Sequence, residues 1–205
     1  MEPAGDNPGN RQIAAVVLAA GLSTRMGRNK LLVDIHGQPL VRRVIRTIEA
    51  SRARPVIVVT GHDREAVGAA LAGTEAAIVH NAAYRDGLST SLRTGISGVE
   101  HCDAAIILLA DMPAVSSSLI DRMLAAYDPA NGRAICVATR HGRRGNPVLF
   151  DRKYFPDLMA ISGDIGARNV IARHAQLVCE VEADDDAPMI DLDTPDDVQR
   201  FRERP

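Results

Sequence analysis

The chain has 205 residues, of which 46% are apolar, and its 24 Lys plus Arg against 26 Asp plus Glu give a formal charge of −2. A chain of this length can bury a sizeable core within one domain. The near-neutral charge excludes a general attraction to nucleic acid or to an anionic membrane surface, and no apolar run approaches the roughly 20 residues of a membrane span. We therefore expect a cytoplasmic protein with no nucleic-acid or membrane partner.

The N-terminal residues 1–12 predict a flexible tail in front of a single domain at 13–205, because they are polar and lack the basic flank and apolar run of a signal peptide. The cysteines Cys102, Cys136 and Cys179 are widely spaced and odd in number, which favours buried reduced thiols over disulfides or zinc ligands. The six histidines form no pair at metal-ligand spacing, so a zinc enzyme is not expected.

Short apolar runs alternate with helix-periodic segments from residue 13 to about 137, which predicts an α/β fold whose mostly parallel sheet is covered by helices on both faces. The predicted strands span residues 13–18, 55–60, 76–80, 103–109, 134–138, 147–150 and 177–181. The predicted helices span residues 39–51, 63–72, 89–99, 116–127, 166–175 and 195–202. Ligands of such sheets bind beyond the carboxyl ends of the strands, so the loops that follow strands have the strongest claim on function.

The loop after the first strand has the chemistry of a nucleotide polyphosphate site. The small residues Ala20 and Gly21 let backbone N–H groups approach a phosphate, and Arg25 and Lys30 neutralise its charge. The glycine spacing matches neither the P-loop nor the dinucleotide fingerprint. Of the 24 basic residues, Lys30 and Lys153 are the two lysines. In a chain that uses arginine elsewhere, a lysine at the end of this loop favours a role for its compact ammonium. By residue type alone, an ordinary solvated loop is the alternative.

Two later segments place acids where a metal ion could bind. Asp111 follows the apolar run 104–109, and Asp191 and Asp193 share one face of a predicted extended segment. Mg²⁺ needs only one or two carboxylates besides water and substrate oxygens. Capping of a turn or of the following helix is the alternative for Asp111 and Asp193.

Three other stretches predict close approach of a ligand. Residues 87–95 begin a helix with a glycine and small hydroxyls, and residues 163–168 place a helix start beside an arginine. The run Arg144-Gly145-Asn146-Pro147 leads into a strand through a restricted turn, because proline disfavours helical geometry in the residue before it. Plain helix capping is the alternative at 87–95.

Six motifs occur in order along residues 13–201: LAAGLSTRMGRNKLL, GLSTSLRTG, LLADMP, GNPVLF, GDIGAR and DLDTPDD. Together they resemble the MobA-like nucleotidyltransferases, and within them the molybdenum cofactor cytidylyltransferase branch. The resemblance implies a three-layer Rossmann-like fold, whose N-terminal part binds a nucleoside triphosphate and whose C-terminal part presents the acceptor phosphate. The implied reaction moves CMP, or another NMP, to the phosphate of molybdopterin and releases pyrophosphate.

The same resemblance implies roles for individual residues. The nucleotide would contact Leu18, Ala19, Ala20, Gly21, Arg25, Lys30, Gly87 and Ser89. The catalytic residues would be Arg25, Lys30 and Asp111. The Mg²⁺ ligands would be Asp111 and Asp193, with Asp191 as the alternative second ligand. The acceptor would contact Gly145, Asn146, Asp164 and Arg168.

The resemblance also implies a particular nucleotide and a protein partner. The resemblance favours CTP, since guanylyl relatives carry a second glycine where Ala20 stands. A contact the size of this one methyl group discriminates between bases by only about 1–3 kcal/mol. A molybdoenzyme or its chaperone is the implied protein partner. Two alternatives stay open, a nicotinamide-dependent oxidoreductase and a non-catalytic maturation chaperone that binds molybdenum cofactor.

Overall fold

A seven-stranded sheet forms the middle layer of the computed structural model, which describes residues 11–21, 26–27, 29–163 and 166–203. The strands are β1 (Ile13–Ala19), β2 (Asp34–Ile35), β3 (Gln38–Pro39), β4 (Val56–Thr60), β5 (Ala77–His80), β6 (Ala104–Leu109), β7 (Ile135–Arg140), β8 (Arg143–Asp151) and β9 (Val178–Glu182). The sheet order is β5-β4-β1-β6-β8-β7-β9, and β2 and β3 form a separate hairpin. Of these strands, β8 runs antiparallel to its neighbours, whereas the other sheet pairs are parallel. The expectation of a mostly parallel sheet is confirmed.

Helices cover both faces of the sheet. They are α1 (Leu40–Glu49), α2 (Arg64–Ala70), α3 (Leu88–Ser97), α4 (Ser117–Ala126), α5 (Phe155–Met159), α6 (Arg168–Arg173) and α7 (Pro195–Arg202). One core layer includes apolar residues of α1, α4 and α7, and the other includes those of α3, α5 and α6. Within the described ranges, no helix is long and apolar enough to cross a bilayer.

The strand β1 lies at the centre of both core layers. All seven of its side chains are buried, with Ala15 and Val17 on one face and Val16 and Leu18 on the other. A strand buried on both faces reads as a continuous apolar run rather than as an alternating one, which is why the sequence revealed it. The corner Ala20-Gly21, which follows this strand directly, thereby lies between the ends of β4 and β6 and not at an edge of the sheet.

Three elements differ from the sequence prediction. The strand β8 begins at Arg143, so Gly145 and Asn146 lie inside a hairpin strand and not in a restricted turn before it. The hairpin turns at His141 and Gly142, both with positive φ, as a two-residue type I′ turn requires. Charged and polar residues fill this half of the strand, so it carries no apolar pattern. The β2–β3 hairpin and the five-residue helix α5 were also missed, because both are too short for a periodic signal.

The thiols are free, as the cysteine spacing predicts. Cys102 and Cys136 are buried and Cys179 is half-buried. Burial raises the pKa of Cys136 to about 12, so this thiol stays protonated at neutral pH and is a poor nucleophile.

The glycine Gly95 fixes how closely α3 approaches the sheet. A Cβ added at this position would overlap Val16 Cγ1 and lie 3.1 Å from Val59 Cγ2. We expect Gly95→Ala to lower the free energy of unfolding by about 1–3 kcal/mol, because the buried valines of β1 and β4 cannot give way. Denaturant unfolding measures this.

Gly68 provides the matched control, since it is also inside a helix but meets only Ile78 Cδ1 at 3.9 Å. Gly68→Ala should stabilise the chain or leave it unchanged, through the better helix propensity of alanine. An equal loss in both variants would mean that the contacts of Gly95 with β1 and β4 do not set the cost.

Candidate active site

A cleft of about 390 Å³ opens at the carboxyl ends of β1 and β6. The corner Leu18, Ala19, Ala20 and Gly21 lines its floor, together with Lys30, Gly87 and Asp111. Its other lining residues include Tyr84, Arg85, Leu88 and Ser91. The structure thus brings together six residues that the sequence analysis assigned to the nucleotide and Asp111, which it assigned to the metal ion and to catalysis.

The side chain of Lys30 lies between two carboxylates. Its Nζ is 2.5 Å from Asp111 Oδ2 and 2.6 Å from Asp193 Oδ1. The side chains of Lys30, Asp111 and Asp193 are 13%, 17% and 38% exposed, so the first two are largely shielded from solvent. A charge-assisted contact in this setting is stronger than one at the open surface.

Backbone hydrogen bonds join the segments that carry the two acids to each other and to β1. The N–H of Ala110 donates to Leu18 O at 3.1 Å, and the N–H of Leu192 donates to Asp111 O at 3.0 Å. Asp193 itself directly precedes α7, where Thr194 and Asp197 form a capping box. Thr194 and Asp197 therefore cap α7, and the Asp193 side chain contacts Lys30 instead.

Lys30 is held from its own side by a 3₁₀ turn at Lys30–Leu32. The preceding Asn29 caps this turn, since its Oδ1 accepts from Leu31 N at 3.0 Å. The Nδ2 of Asn29 donates to Asp63 Oδ2 at 3.3 Å, which ties the turn to the segment after β4. The lysine therefore reaches the cleft from a fixed backbone position.

The electrostatics of the cluster favour cations. Burial by itself lowers the pKa of Lys30, but Asp111 and Asp193 outweigh it, so the pKa is raised and the ammonium stays charged. Burial raises the pKa of Asp191, and the charges of Asp193 and Asp111 raise it further. Three carboxylates thus share the field of one ammonium.

The donor set fits a divalent cation that keeps much of its water shell. The Oδ1 of Asp111 is buried and has no hydrogen-bond partner in the part of the chain that the structure describes. A buried carboxylate oxygen without a donor is costly unless a ligand satisfies it. No group of three or more His, Cys, Asp or Glu in those same ranges could hold a metal alone. A metal at Asp111 and Asp193 would therefore take its other ligands from water and substrate, as Mg²⁺ does.

The far wall of the cleft was missed by sequence reasoning. Tyr84 and Arg85 lie in a 3₁₀ turn after β5, and the Arg85 guanidinium stands 5.6 Å from the Tyr84 ring centre. A Cβ on Gly61 would lie 2.6 Å from Tyr84 Cβ and 2.8 Å from Ala20 Cβ, so this glycine lets the wall approach the floor. Nothing in the local sequence pattern marks these contacts.

Of the two serines at the start of α3, the structure places Ser91 and not Ser89 on the cleft. Ser89 is 1% exposed, and its N–H donates to Gly163 O at 3.2 Å. The helix begins at Leu88, one residue before the predicted start, with Gly87 at φ 105° leading into it. Because successive helix residues differ by about 100° in direction, a serine two positions on faces elsewhere.

A second cleft, of about 300 Å³, lies between β8 and α6. It gathers Gly145, Asn146 and Arg168 of the predicted acceptor residues, and Arg144 in addition. Leu88 of the first cleft lies close to Gly166, the neighbour in sequence of Ala167 in the second, since a Cβ on Gly166 would lie 3.4 Å from Leu88 Cδ2. The other two predicted positions, Arg25 and Asp164, lie outside the described residues.

Gly145 also has a packing reason to be glycine. A Cβ at this position would overlap the carbonyl oxygen of Pro188 and lie 2.6 Å from Met189 Cε. The close approach of two backbones therefore explains this residue without any ligand.

A family model matches most of this chain. The model described as the MobA-like NTP transferase domain matches residues 15–177. This chain belongs to that family. The match includes Lys30 and Asp111 and ends before Asp193, so the structure, and not the match, adds the second carboxylate to the site of this MobA-like domain.

Relatives of this MobA-like domain carry different names. A nicotine blue oxidoreductase of Paenarthrobacter nicotinovorans is 27% identical over 92% of this chain and 96% of that protein. A molybdenum cofactor cytidylyltransferase of Escherichia coli K12 is 29% identical over 94% of this chain and 96% of that protein.

Among solved structures, a nucleotidyl transferase from Methanothermobacter has a TM-score of 0.83 and 26% identity, covering 95% of this chain and 97% of that one. Rv0371c of Mycobacterium tuberculosis H37Rv, described in complex with manganese, has a TM-score of 0.77 and 26% identity, with coverages of 95% and 100%. With the family match, these relatives support nucleotidyltransferase activity for this MobA-like domain.

Proposed function

We propose that this enzyme transfers CMP from CTP to the phosphate of a molybdopterin-type acceptor, with Mg²⁺ and with release of pyrophosphate. The observation that carries the proposal is the meeting of Lys30, Asp111 and Asp193 beside the small-residue corner of β1. An ammonium and two carboxylates in one cleft suit a substrate that brings both negative charge and a bound cation.

The reaction needs positioning and charge stabilisation more than it needs a nucleophilic side chain. A phosphate oxygen of the acceptor forms a bond to the α-phosphorus, while the bond from that phosphorus to the oxygen bridging to the β-phosphate breaks. Pyrophosphate leaves with the electron pair. The acceptor phosphate is largely ionised at neutral pH, so no general base is required. Lys30 and Arg25 neutralise the negative charge of the phosphoryl oxygens.

Magnesium held by Asp111 and Asp193 would neutralise substrate phosphate oxygens and stabilise the leaving pyrophosphate. Lys30 then pairs with a phosphate instead of with both acids, because a compact ammonium can follow a phosphoryl group. Asp191 contributes its charge to the same end of the cleft.

The acceptor is assigned to the second cleft. Its walls are apolar at Val137, Val148 and Ile171, and Arg144 and Arg168 supply cations. A flat ring system with a phosphate arm suits this mixture, since the rings can cover the apolar wall while a guanidinium binds the phosphate. Asn146, Gly145 and Asp164 complete the proposed acceptor side.

A screen of the four nucleoside triphosphates with Mg²⁺ and molybdopterin, scored by pyrophosphate, tests the proposal. CTP should give the fastest release. Absence of pyrophosphate with every nucleotide, despite binding of the acceptor, would contradict transfer and favour the chaperone. Calorimetric titration with NADH and with CTP and Mg²⁺ separates the oxidoreductase that one relative's name suggests, since tight binding of NADH alone would reject our assignment.

A further inference from the structure

A buried amide stands behind the base end of the nucleotide cleft. Asn81 follows β5 directly and is 4% exposed. Its backbone N–H donates to Thr60 O at 2.8 Å, which fixes it beside the end of β4. None of the sequence motifs assigned to the nucleotide includes this residue.

The orientation of this amide follows from its partners. The N–H of Ala83, 3.0 Å from Asn81 Oδ1, can only donate, so the oxygen of the amide must face it. The Nδ2 atom therefore faces the other way, 2.8 Å from Thr90 Oγ1 and 3.0 Å from Ser91 Oγ. Both protons of the Asn81 amide are therefore donated, one to each hydroxyl oxygen.

This arrangement turns the Ser91 hydroxyl proton away from Asn81. Its oxygen accepts from Asn81, and its own proton has no acceptor among residues 11–21, 26–27, 29–163 and 166–203. Thr90 differs, because its hydroxyl lies 2.9 Å from both Ala83 O and Gly87 O. Ser91 lines the cleft and Thr90 does not, so the unused proton is the one available to a ligand.

Ser91 lies on the Asn81 side of the cleft, away from the cluster of Lys30, Asp111 and Asp193. Asn81 follows β5 and Asp111 follows β6, and these strands are three positions apart in the sheet. At about 4.8 Å per strand, roughly 14 Å separates these two strand ends. Ser91 is on α3, which packs over β1 and β4, and its Oγ is 3.0 Å from Asn81 Nδ2. Lys30 and Ser91 both line the cleft, so a nucleotide whose phosphates lie at Lys30 has room for its nucleoside on the Ser91 side.

We propose that Asn81 is a positioning residue, which presents the Ser91 hydroxyl as a hydrogen-bond donor to the base and so contributes to nucleotide choice. The inference rests on the proposed nucleotide site. A fixed donor suits a base edge that offers acceptors, such as O2 and N3 of cytosine, and opposes the amino donor of guanine.

Binding of CTP and of GTP with Mg²⁺, measured by calorimetry without acceptor, tests this. Ser91→Ala should weaken CTP about 3- to 10-fold and lower the CTP-to-GTP affinity ratio, the effect of one hydrogen bond. Asn81→Asp has the same shape, and above the pKa of the new carboxyl group it can only accept, so Ser91 must turn its proton inward. The CTP-to-GTP ratio should then fall about tenfold. The added charge weakens both nucleotides alike, because they carry the same triphosphate.

Further variants separate positioning from a structural role. With alanine at position 91, Asn81→Asp should leave the ratio unchanged within about twofold, since no hydroxyl remains to reorient. Asn81→Ala adds no buried charge and should bring the ratio toward the Ser91→Ala value. Ser97→Ala, at the exposed far end of α3, is the control and should match wild type.

The outcomes separate the two levels of the proposal. If folded variants at 81 and 91 bind CTP and GTP in the wild-type ratio, the role of Asn81 is wrong, even if their melting temperatures fall. If the wild-type protein binds neither nucleotide, the proposed function itself fails.

Discussion

Replacing Asp111 by asparagine should lower turnover on the order of 10³-fold while the fold is retained. Asparagine has the same shape, and Asp193 still pairs with Lys30 in the variant. The lost charge, however, removes the carboxylate whose Oδ1 is buried without a donor. Pyrophosphate release at saturating CTP and acceptor measures the rate, and thermal unfolding checks the fold.

The dependence on Mg²⁺ decides whether Asp111 acts on the metal. We expect the variant to need far more Mg²⁺ for half-maximal rate, because an amide oxygen is a weaker ligand than a carboxylate. Asp184→Asn is the control, since Asp184 is 84% exposed and pairs with Arg122. Unchanged turnover of Asp111→Asn at limiting Mg²⁺ would reject the metal role.

Most of the fold could be predicted because its central strands β1, β4 and β6 are buried on both faces. The seven predicted strands and the six predicted helices are all present, the helices as α1–α4, α6 and α7. The missing parts carry no apolar pattern. The first half of β8 is held by its ladder with β7, and α5 has only five residues. Tertiary contacts, which the local sequence does not show, decide such elements.

The candidate site could be predicted in part, because the loops that follow strands have the strongest claim on ligands in such sheets. Lys30, Asp111 and Asp193 were each found from position and residue type, but their mutual contact spans 163 residues of chain and needed the structure. Tyr84 and Gly61 were missed for the same reason. Ser91 stood inside a quoted motif, but the resemblance implied Ser89, and the structure is what places Ser91 on the cleft.

The second large effect is expected at Lys30. Lys30→Ala should lower turnover about 10²–10³-fold, because it removes a preorganised charge from the phosphoryl group. Lys153→Ala is the matched control in a chain with two lysines, since Lys153 is exposed and lies over the Tyr154 ring at 5.2 Å. Pyrophosphate release under the conditions of the nucleotide screen compares the two variants.

A second measurement separates this role from a general loss of structure. Without nucleotide, Lys30 neutralises Asp111 and Asp193, so a divalent cation must displace an ammonium to reach them. Lys30→Ala should therefore bind Mn²⁺ alone more tightly than wild type does, although it turns over more slowly, and Mn²⁺ should raise its melting temperature more. Opposite signs for turnover and metal affinity cannot come from partial unfolding, which weakens both. Equal rates for the two lysine variants would instead show that Lys30 has no role in the reaction.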